Sequence, residues 1–100
     1  GLVFVSGQLP VNPKTGEIPE GIEAQSRQSL ENVKAVLEAA GSSTAQVVKT
    51  TCFLADIADF AAFNKVYAEY FPEKAPARSC FQVAAIPKGA KLEVEAIALK

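Results

Sequence analysis

A short segment near the C-terminus could carry chemistry: PARSCFQVAAIPKG, from Pro76 to Gly89, opens with an arginine and a cysteine. Two carboxylates, Glu93 and Glu95, follow in the next apolar segment. A partly desolvated guanidinium can present its planar fork to an anionic ligand group, most naturally a carboxylate. The alternative is a structural ion pair of Arg78 with Glu93 or Glu95, and the spacing alone does not separate these two interpretations.

The composition limits the other chemistry that is available. The chain has no histidine, which excludes Ser-His-Asp and Cys-His nucleophiles and a histidine general base. Nearly all zinc sites are excluded as well, because Cys52 and Cys80 cannot supply four ligands, so we expect no metal site. Since nothing in the chain directs secretion, we expect both cysteines to be thiols and the protein to be cytoplasmic.

Length and charge indicate one domain, residues 1–100, without a membrane segment. At 100 residues and 49% hydrophobic content the chain can build a core, although it is short enough to depend on a partner subunit. Its longest apolar runs fall far short of the roughly 20 residues that a membrane helix needs. Ten basic and eleven acidic residues give a net charge of −1, so nucleic acid is not the expected partner.

Hydrophobic periodicity predicts the order β-α-β-α-β-β. Gly41 is expected to end the first helix, and Asp59 to cap the start of the second, which Pro72 stops. The predicted strands are Leu2–Leu9, Val47–Ala55, Ala77–Ala85 and Lys91–Leu99, and the first helix is Ile22–Ala40. We expect IPKGA to join the last two strands as a hairpin. These features favour an α+β fold, with both helices on one face of a mixed sheet, over a parallel α/β sheet.

Strand alternation then predicts what each face carries. Arg78 and Cys80 share one face of their strand, and Phe81 lies on the other. Suppose that the last two strands pair so that their apolar side chains share one face of the sheet. Arg78 and Cys80 then lie beside Glu93 and Glu95, on the face away from the helices. That face is too apolar to be left exposed to water and too polar to form the core of a monomer, so it suits a subunit interface with a pocket.

Four segments together resemble the RidA family, also called YjgF/YER057c/UK114. They are VSGQLPVNPKTGEIP, QSLENVKAVLEAAG, VVKTTCFLADIADFAAFNKVY and PARSCFQVAAIPKGAKLEVEAIA. The resemblance implies a chorismate-mutase-like fold and a homotrimer with active sites between subunits. It also implies hydrolysis of reactive 2-enamino and 2-imino acids, such as 2-aminoacrylate, to 2-keto acids and ammonia without a cofactor.

The same resemblance suggests a role for each matching residue. Arg78 corresponds to the arginine that binds the substrate carboxylate, and Glu93 to the glutamate that positions and activates water, with Glu95 as the alternative. Cys80 corresponds to a pocket cysteine that lines the imine site, although it could equally be a small buried hydrophobe.

Three further positions match residues near the family site. Ser6 corresponds to a pocket serine, Gly7 would let the backbone approach closely, and Asn64 matches an asparagine on the second helix. An ordinary strand end and a solvated helix amide are the alternatives. Tyr67 and Phe60 are expected to belong to the core.

Other functions remain open at this point. The chain could be a non-catalytic member of the family that binds 2-keto acids, and RNA cleavage or translation inhibition has less support. The resemblance also implies one further strand before Gly1, with a tyrosine that helps to wall the pocket. That strand is either part of a longer chain or naturally missing, and its absence would expose a sheet edge.

Overall fold

The chain folds as an α+β layer, in which two helices cover one face of a four-stranded mixed sheet. The computed structural model describes all 100 residues. The elements are β1 (Leu2–Gln8), α1 (Ile22–Ala39), β2 (Val47–Leu54), α2 (Phe60–Tyr70), β3 (Ala77–Gln82) and β4 (Leu92–Leu99). The predicted element order and the α+β fold class are therefore confirmed. Most helix and strand ends differ from the predicted ones by a few residues.

The strands lie in the order β1-β4-β2-β3. β4 pairs antiparallel with both β1 and β2, whereas β3 pairs parallel with β2 at the edge of the sheet. The predicted hairpin between the last two strands is therefore wrong, because β2 lies between them. IPKGA instead forms most of a crossing connection that contains a 3₁₀ turn at Pro87–Gly89.

The predicted faces of β3 are wrong for the same reason. Cys52 pairs with Cys80 on one side and with Val94 on the other, so these three side chains point toward the helices. Arg78 shares that helix-covered face because it alternates with Cys80. Phe81 lies on the open face, where its ring meets Phe53 edge to face at 5.4 Å.

Different local signals mark the end of α1 and the start of α2. After α1, Gly41 adopts φ +84°, and its amide donates to Glu38 O while the Ser42 amide donates to Leu37 O. This Schellman geometry needs a residue that tolerates positive φ. Gly41 is therefore the C′ residue of α1, as predicted. Asp59 makes no cap hydrogen bond; Asp56 caps the preceding 3₁₀ turn instead, its carboxylate accepting from the Ala58 amide.

The core lies between the helices and the covered face of the sheet. α1 packs against β1, β4 and α2. Fully buried or nearly buried apolar side chains from all layers meet there: Leu30, Val33, Leu37, Cys52, Leu54, Phe63, Val66, Leu92, Val94 and Ala98. No helix of the chain has both the length and the apolar character needed to cross a membrane.

We predict that Leu37→Ala lowers the free energy of unfolding by about 2–5 kcal/mol, because it removes buried methyl groups and leaves a cavity. Leu37 is fully buried, whereas its neighbour Val36 is 38% exposed and serves as the matched control. Urea titrations at one fixed protein concentration would measure both variants. An equal loss of unfolding free energy in Leu37→Ala and Val36→Ala would contradict this assignment of the buried face of α1.

Candidate functional site

Arg78 is held on the helix-covered side of the edge strand. It pairs with Thr50 of β2 across the parallel ladder. Its Nη1 donates to Oδ1 of Asn64 at 2.7 Å. The guanidinium carbon lies 4.6 Å from the centre of the Tyr67 ring and 5.4 Å from that of Phe60. These contacts fix the plane of the guanidinium, which is only partly exposed.

The three contacts of Arg78 on α2 come from one helix face. Phe60, Asn64 and Tyr67 are spaced i, i+4 and i+7, so they form a continuous stripe. The Tyr67 hydroxyl hydrogen bonds with the buried hydroxyl of Thr50, with 2.7 Å between the oxygens. Burial raises the pKa of Tyr67, so its hydroxyl stays protonated, and the hydrogen bond to Thr50 holds the ring beneath the guanidinium.

No carboxylate of the chain neutralises Arg78. The one ion pair within 4.0 Å joins Arg27 to Glu69 on the surface of the helices. Arg78 therefore does not form the structural ion pair with Glu93 or Glu95 that the sequence left open. A guanidinium carries five N–H donors, and a single protein hydrogen bond to the Asn64 amide uses one of them. The remaining donors and the positive charge are left for an anion or for solvent.

Cys80 lies two residues beyond Arg78 on the same face of β3 and is partly exposed. Its interaction with the neighbouring Cys52 thiol and the positive charge of Arg78 lower the pKa of Cys80 to about 7. Arg78, Asn64 and Cys80, three of the predicted site residues, thus form one group, which we call the guanidinium cluster.

The other predicted residues form a second group at the β1–β4 pair. The register of this pair shifts between Val5 and Gln8, so Ser6 and Gly7 form a bulge. A side chain at Gly7 would overlap Oε1 of Glu93, because the Glu93 carboxylate lies directly against the glycine backbone. Glycine therefore leaves room for the carboxylate to approach the backbone of the bulge closely. We call Ser6, Gly7 and Glu93 the carboxylate cluster.

A shallow cavity of about 240 Å³ opens on the uncovered face near this cluster. It is lined by Phe4, Val5, Ser6, Lys49, Thr51, Glu95, Ala96 and Ile97. Ser6 and Glu95 therefore share a cavity that contains neither Arg78 nor Glu93. Lys49 is an addition to the predicted residues; its Nζ donates to Thr51 Oγ1 at 3.2 Å, next to Glu95 across the ladder.

The two clusters lie on opposite faces of the sheet. Arg78 points toward the helices, while Glu93 belongs to the open face with Phe53 and Phe81. A small acid bound to Arg78 cannot reach Glu93 of the same chain, because the sheet lies between them. The sequence also did not identify Tyr67 and Phe60 as neighbours of Arg78. Their helical spacing with Asn64 was the available signal, but it became informative only with the position of β3.

The sequence is similar to proteins of one family. The family model described as Endoribonuclease L-PSP (Ribonuc_L-PSP) matches residues 1–100. A protein of Escherichia coli K12 named 2-iminobutanoate/2-iminopropanoate deaminase is 53% identical over 102 residues, spanning 99% of this chain and 80% of that protein. A RutC family protein of Haemophilus influenzae is 56% identical over 103 residues, spanning 99% and 79%.

Solved structures share the fold at similar identity. The crystal structure of E. coli TdcF with bound serine superposes with a TM-score of 0.96 at 52% identity, covering 99% of this chain and 80% of that one. RidA from the Antarctic bacterium Psychrobacter superposes with a TM-score of 0.96 at 46% identity, covering 99% and 80%. The resemblance found in the sequence motifs is thus confirmed, and the chain belongs to the Ribonuc_L-PSP family, which includes the RidA and YjgF proteins.

Proposed function

We propose that this protein hydrolyses reactive 2-enamino and 2-imino acids, such as 2-aminoacrylate and its imine, to 2-keto acids and ammonia. The observation that carries the proposal is the guanidinium of Arg78, which is fixed by Asn64 and Tyr67 and has no carboxylate partner in the chain. The names of the E. coli deaminases at 53% identity support the same activity. The substrates and products are therefore small 2-imino and 2-keto acids.

In this mechanism Arg78 binds the substrate carboxylate. A planar guanidinium can make two parallel hydrogen bonds to a carboxylate, which fixes the orientation of the acid as well as its position. The Asn64 contact leaves the second terminal nitrogen and Nε available for that purpose. Cys80, on the same face, lines the region next to the bound carboxylate, and its small side chain leaves room for the imine carbon. The serine bound to E. coli TdcF is an amino acid with the same carboxylate group.

Glu93 supplies the base in the proposed reaction. Its carboxylate takes a proton from water as the water oxygen bonds to the imine carbon, and the C=N π electrons move to nitrogen. Glu93 returns this proton to the nitrogen, which gives the neutral carbinolamine. The carboxylate then takes the hydroxyl proton as the C=O of the keto acid forms and the C–N bond breaks, and it passes this proton to the nitrogen, which leaves as ammonia. The Gly7 backbone lies against this carboxylate, and the Ser6 hydroxyl donates a hydrogen bond to the ligand in this proposal.

Arg78 and Glu93 act together only if different copies of the chain supply them. We infer a chorismate-mutase-like homotrimer, in which the guanidinium cluster of one subunit faces the carboxylate cluster of the next. Four large apolar side chains on the open face are 45–70% exposed in a single copy: Leu2, Phe4, Phe81 and Leu99. Association through this face would bury them and close the site from water, which favours the trimer.

We predict that Arg78→Ala lowers kcat/KM for imine hydrolysis about 100-fold or more, because the charged hydrogen bonds to the substrate carboxylate are lost. Lys65→Ala is the matched control, since it removes one positive charge from an exposed position on α2 next to Asn64. The assay measures pyruvate when a pyridoxal-phosphate lyase generates 2-aminoacrylate in situ, with spontaneous hydrolysis as the baseline.

Sedimentation analysis of Arg78→Ala should give the same oligomer as the wild type. Loss of the oligomer in this variant would assign Arg78 to assembly rather than to the ligand. A wild-type rate equal to spontaneous hydrolysis, from folded protein, would overturn the deaminase proposal and favour a non-catalytic member that binds keto acids.

We predict that Glu93→Gln lowers kcat by about 100-fold or more, because the amide cannot accept the proton from water. Binding of a 2-keto acid, measured by calorimetry, should change much less, since Arg78 is intact. Glu95→Gln is the matched comparison on the same face, two residues further along β4. A larger loss of kcat in Glu95→Gln than in Glu93→Gln would transfer the role of base to Glu95.

The family description raises RNA cleavage as a second function. The chain offers it little support, because it has a net charge of −1 and no histidine to act as general acid or base. We therefore predict no cleavage of single-stranded RNA by preparations that deaminate 2-aminoacrylate. Cleavage that disappears in Arg78→Ala but persists in Lys65→Ala would establish a second activity at the same site.

A further inference from the structure

The two cysteines of the chain are direct neighbours in the sheet. Cys52 of β2 pairs with Cys80 of β3 across the parallel ladder, and both are free thiols. Adjacent strands lie about 4.8 Å apart, which falls within the range of roughly 4.4–6.8 Å that separates the Cα atoms of disulfide-bonded cysteines. The side chains of directly paired residues also point to the same face. The expected Cα separation of these two cysteines is therefore compatible with a disulfide.

The surroundings give the two thiols different reactivities. Cys52 is completely buried beneath the helices, whereas Cys80 is partly exposed on the edge strand. The Cys52 thiol and the Arg78 charge favour the thiolate of Cys80, while the contact with Cys80, together with burial, raises the pKa of Cys52. An accessible thiolate next to a protected thiol is the arrangement in which one sulfur is oxidised and the second resolves it.

We propose that Cys52 and Cys80 form an oxidation site, in which a hydroperoxide oxidises Cys80 and Cys52 then closes an intrachain disulfide. The Cys80 thiolate attacks the peroxide oxygen, an S–O bond forms, and the O–O bond breaks to release water or an alcohol after protonation. The Cys52 sulfur then attacks the sulfur of the Cys80 sulfenic acid. The S–S bond forms, and hydroxide leaves and takes the proton of Cys52 as water.

The first step also prepares the second. While Cys80 is an anion, its charge opposes the ionisation of Cys52. A sulfenic acid is neutral, so this opposition disappears once Cys80 has been oxidised. Overall two thiols lose two electrons to the peroxide. The proposal does not depend on the deaminase function, because it uses only the β2–β3 register and the two thiols.

The first experiment treats the full chain with a small excess of hydrogen peroxide, followed by alkylation of the remaining thiols. We expect both alkylation sites to be lost together, the intact mass to fall by two hydrogens, and dithiothreitol to restore both thiols. The oxidised chain should migrate as a monomer on a denaturing gel without reductant. Disulfide-linked dimers, or oxygen added to Cys80 while Cys52 remains alkylatable, would overturn the proposal.

A pair of variants tests the roles of the two thiols. Cys52→Ala should accumulate the Cys80 sulfenic acid, so that labelling by dimedone rises at least tenfold over the wild type. In Cys80→Ala the buried Cys52 should remain unoxidised. Circular dichroism checks that both fold, and Cys52→Val replaces Cys52→Ala if the latter does not. Equal dimedone labelling in the wild type and in the folded Cys52 variant would show that Cys52 does not resolve the oxidised thiol.

Discussion

The structure around the site depends on one constraint, which is the placement of a guanidinium on the helix-covered face of a sheet without a carboxylate to neutralise it. Such a charge is tolerated only where it keeps contact with water or with polarisable and hydrogen-bonding groups. Arg78 meets this requirement because β3 is an edge strand and because α2 supplies the Asn64 amide and the faces of two aromatic rings. The hydrogen bond between Tyr67 and Thr50 then ties the helix to β2 directly beside Arg78.

The same constraint explains why the predicted faces of β3 were wrong. Alternation along one strand correctly separated Arg78 and Cys80 from Phe81, but alternation does not say which set faces the helices. The prediction that the apolar set lies in the core depends on pairing β3 with β4. In the structure β2 separates these strands, and the α2 stripe accepts Arg78, so Phe81 is the residue left exposed, at 45%. Tertiary contacts decided the face that the local pattern left undetermined.

Features set by local chemistry were predictable, and features set by the pairing of distant strands were not. Gly41 marks the end of α1 because the positive φ that follows a helix strongly favours glycine. The error at Asp59 arose because a 3₁₀ turn precedes α2 and takes its cap from Asp56. For the site, family motifs identified Arg78, Asn64 and Glu93 as residues of interest. Their division between two faces required the strand order, which no single segment of the sequence encodes.

This division has a consequence for how the proposed site can work. If Arg78 and Glu93 shared a face of one chain, a long flexible guanidinium and a nearby carboxylate would pair with each other, and substrate would have to break that pair. In the structure the two groups have separate neighbours instead: Arg78 contacts Asn64 and Tyr67, and Glu93 lies against Gly7. The contacts of Arg78 thus orient its guanidinium within a single copy of the chain. In the proposed homotrimer, assembly would bring the two clusters to opposite ends of a small acid, and Arg78 would need little further ordering when the substrate binds.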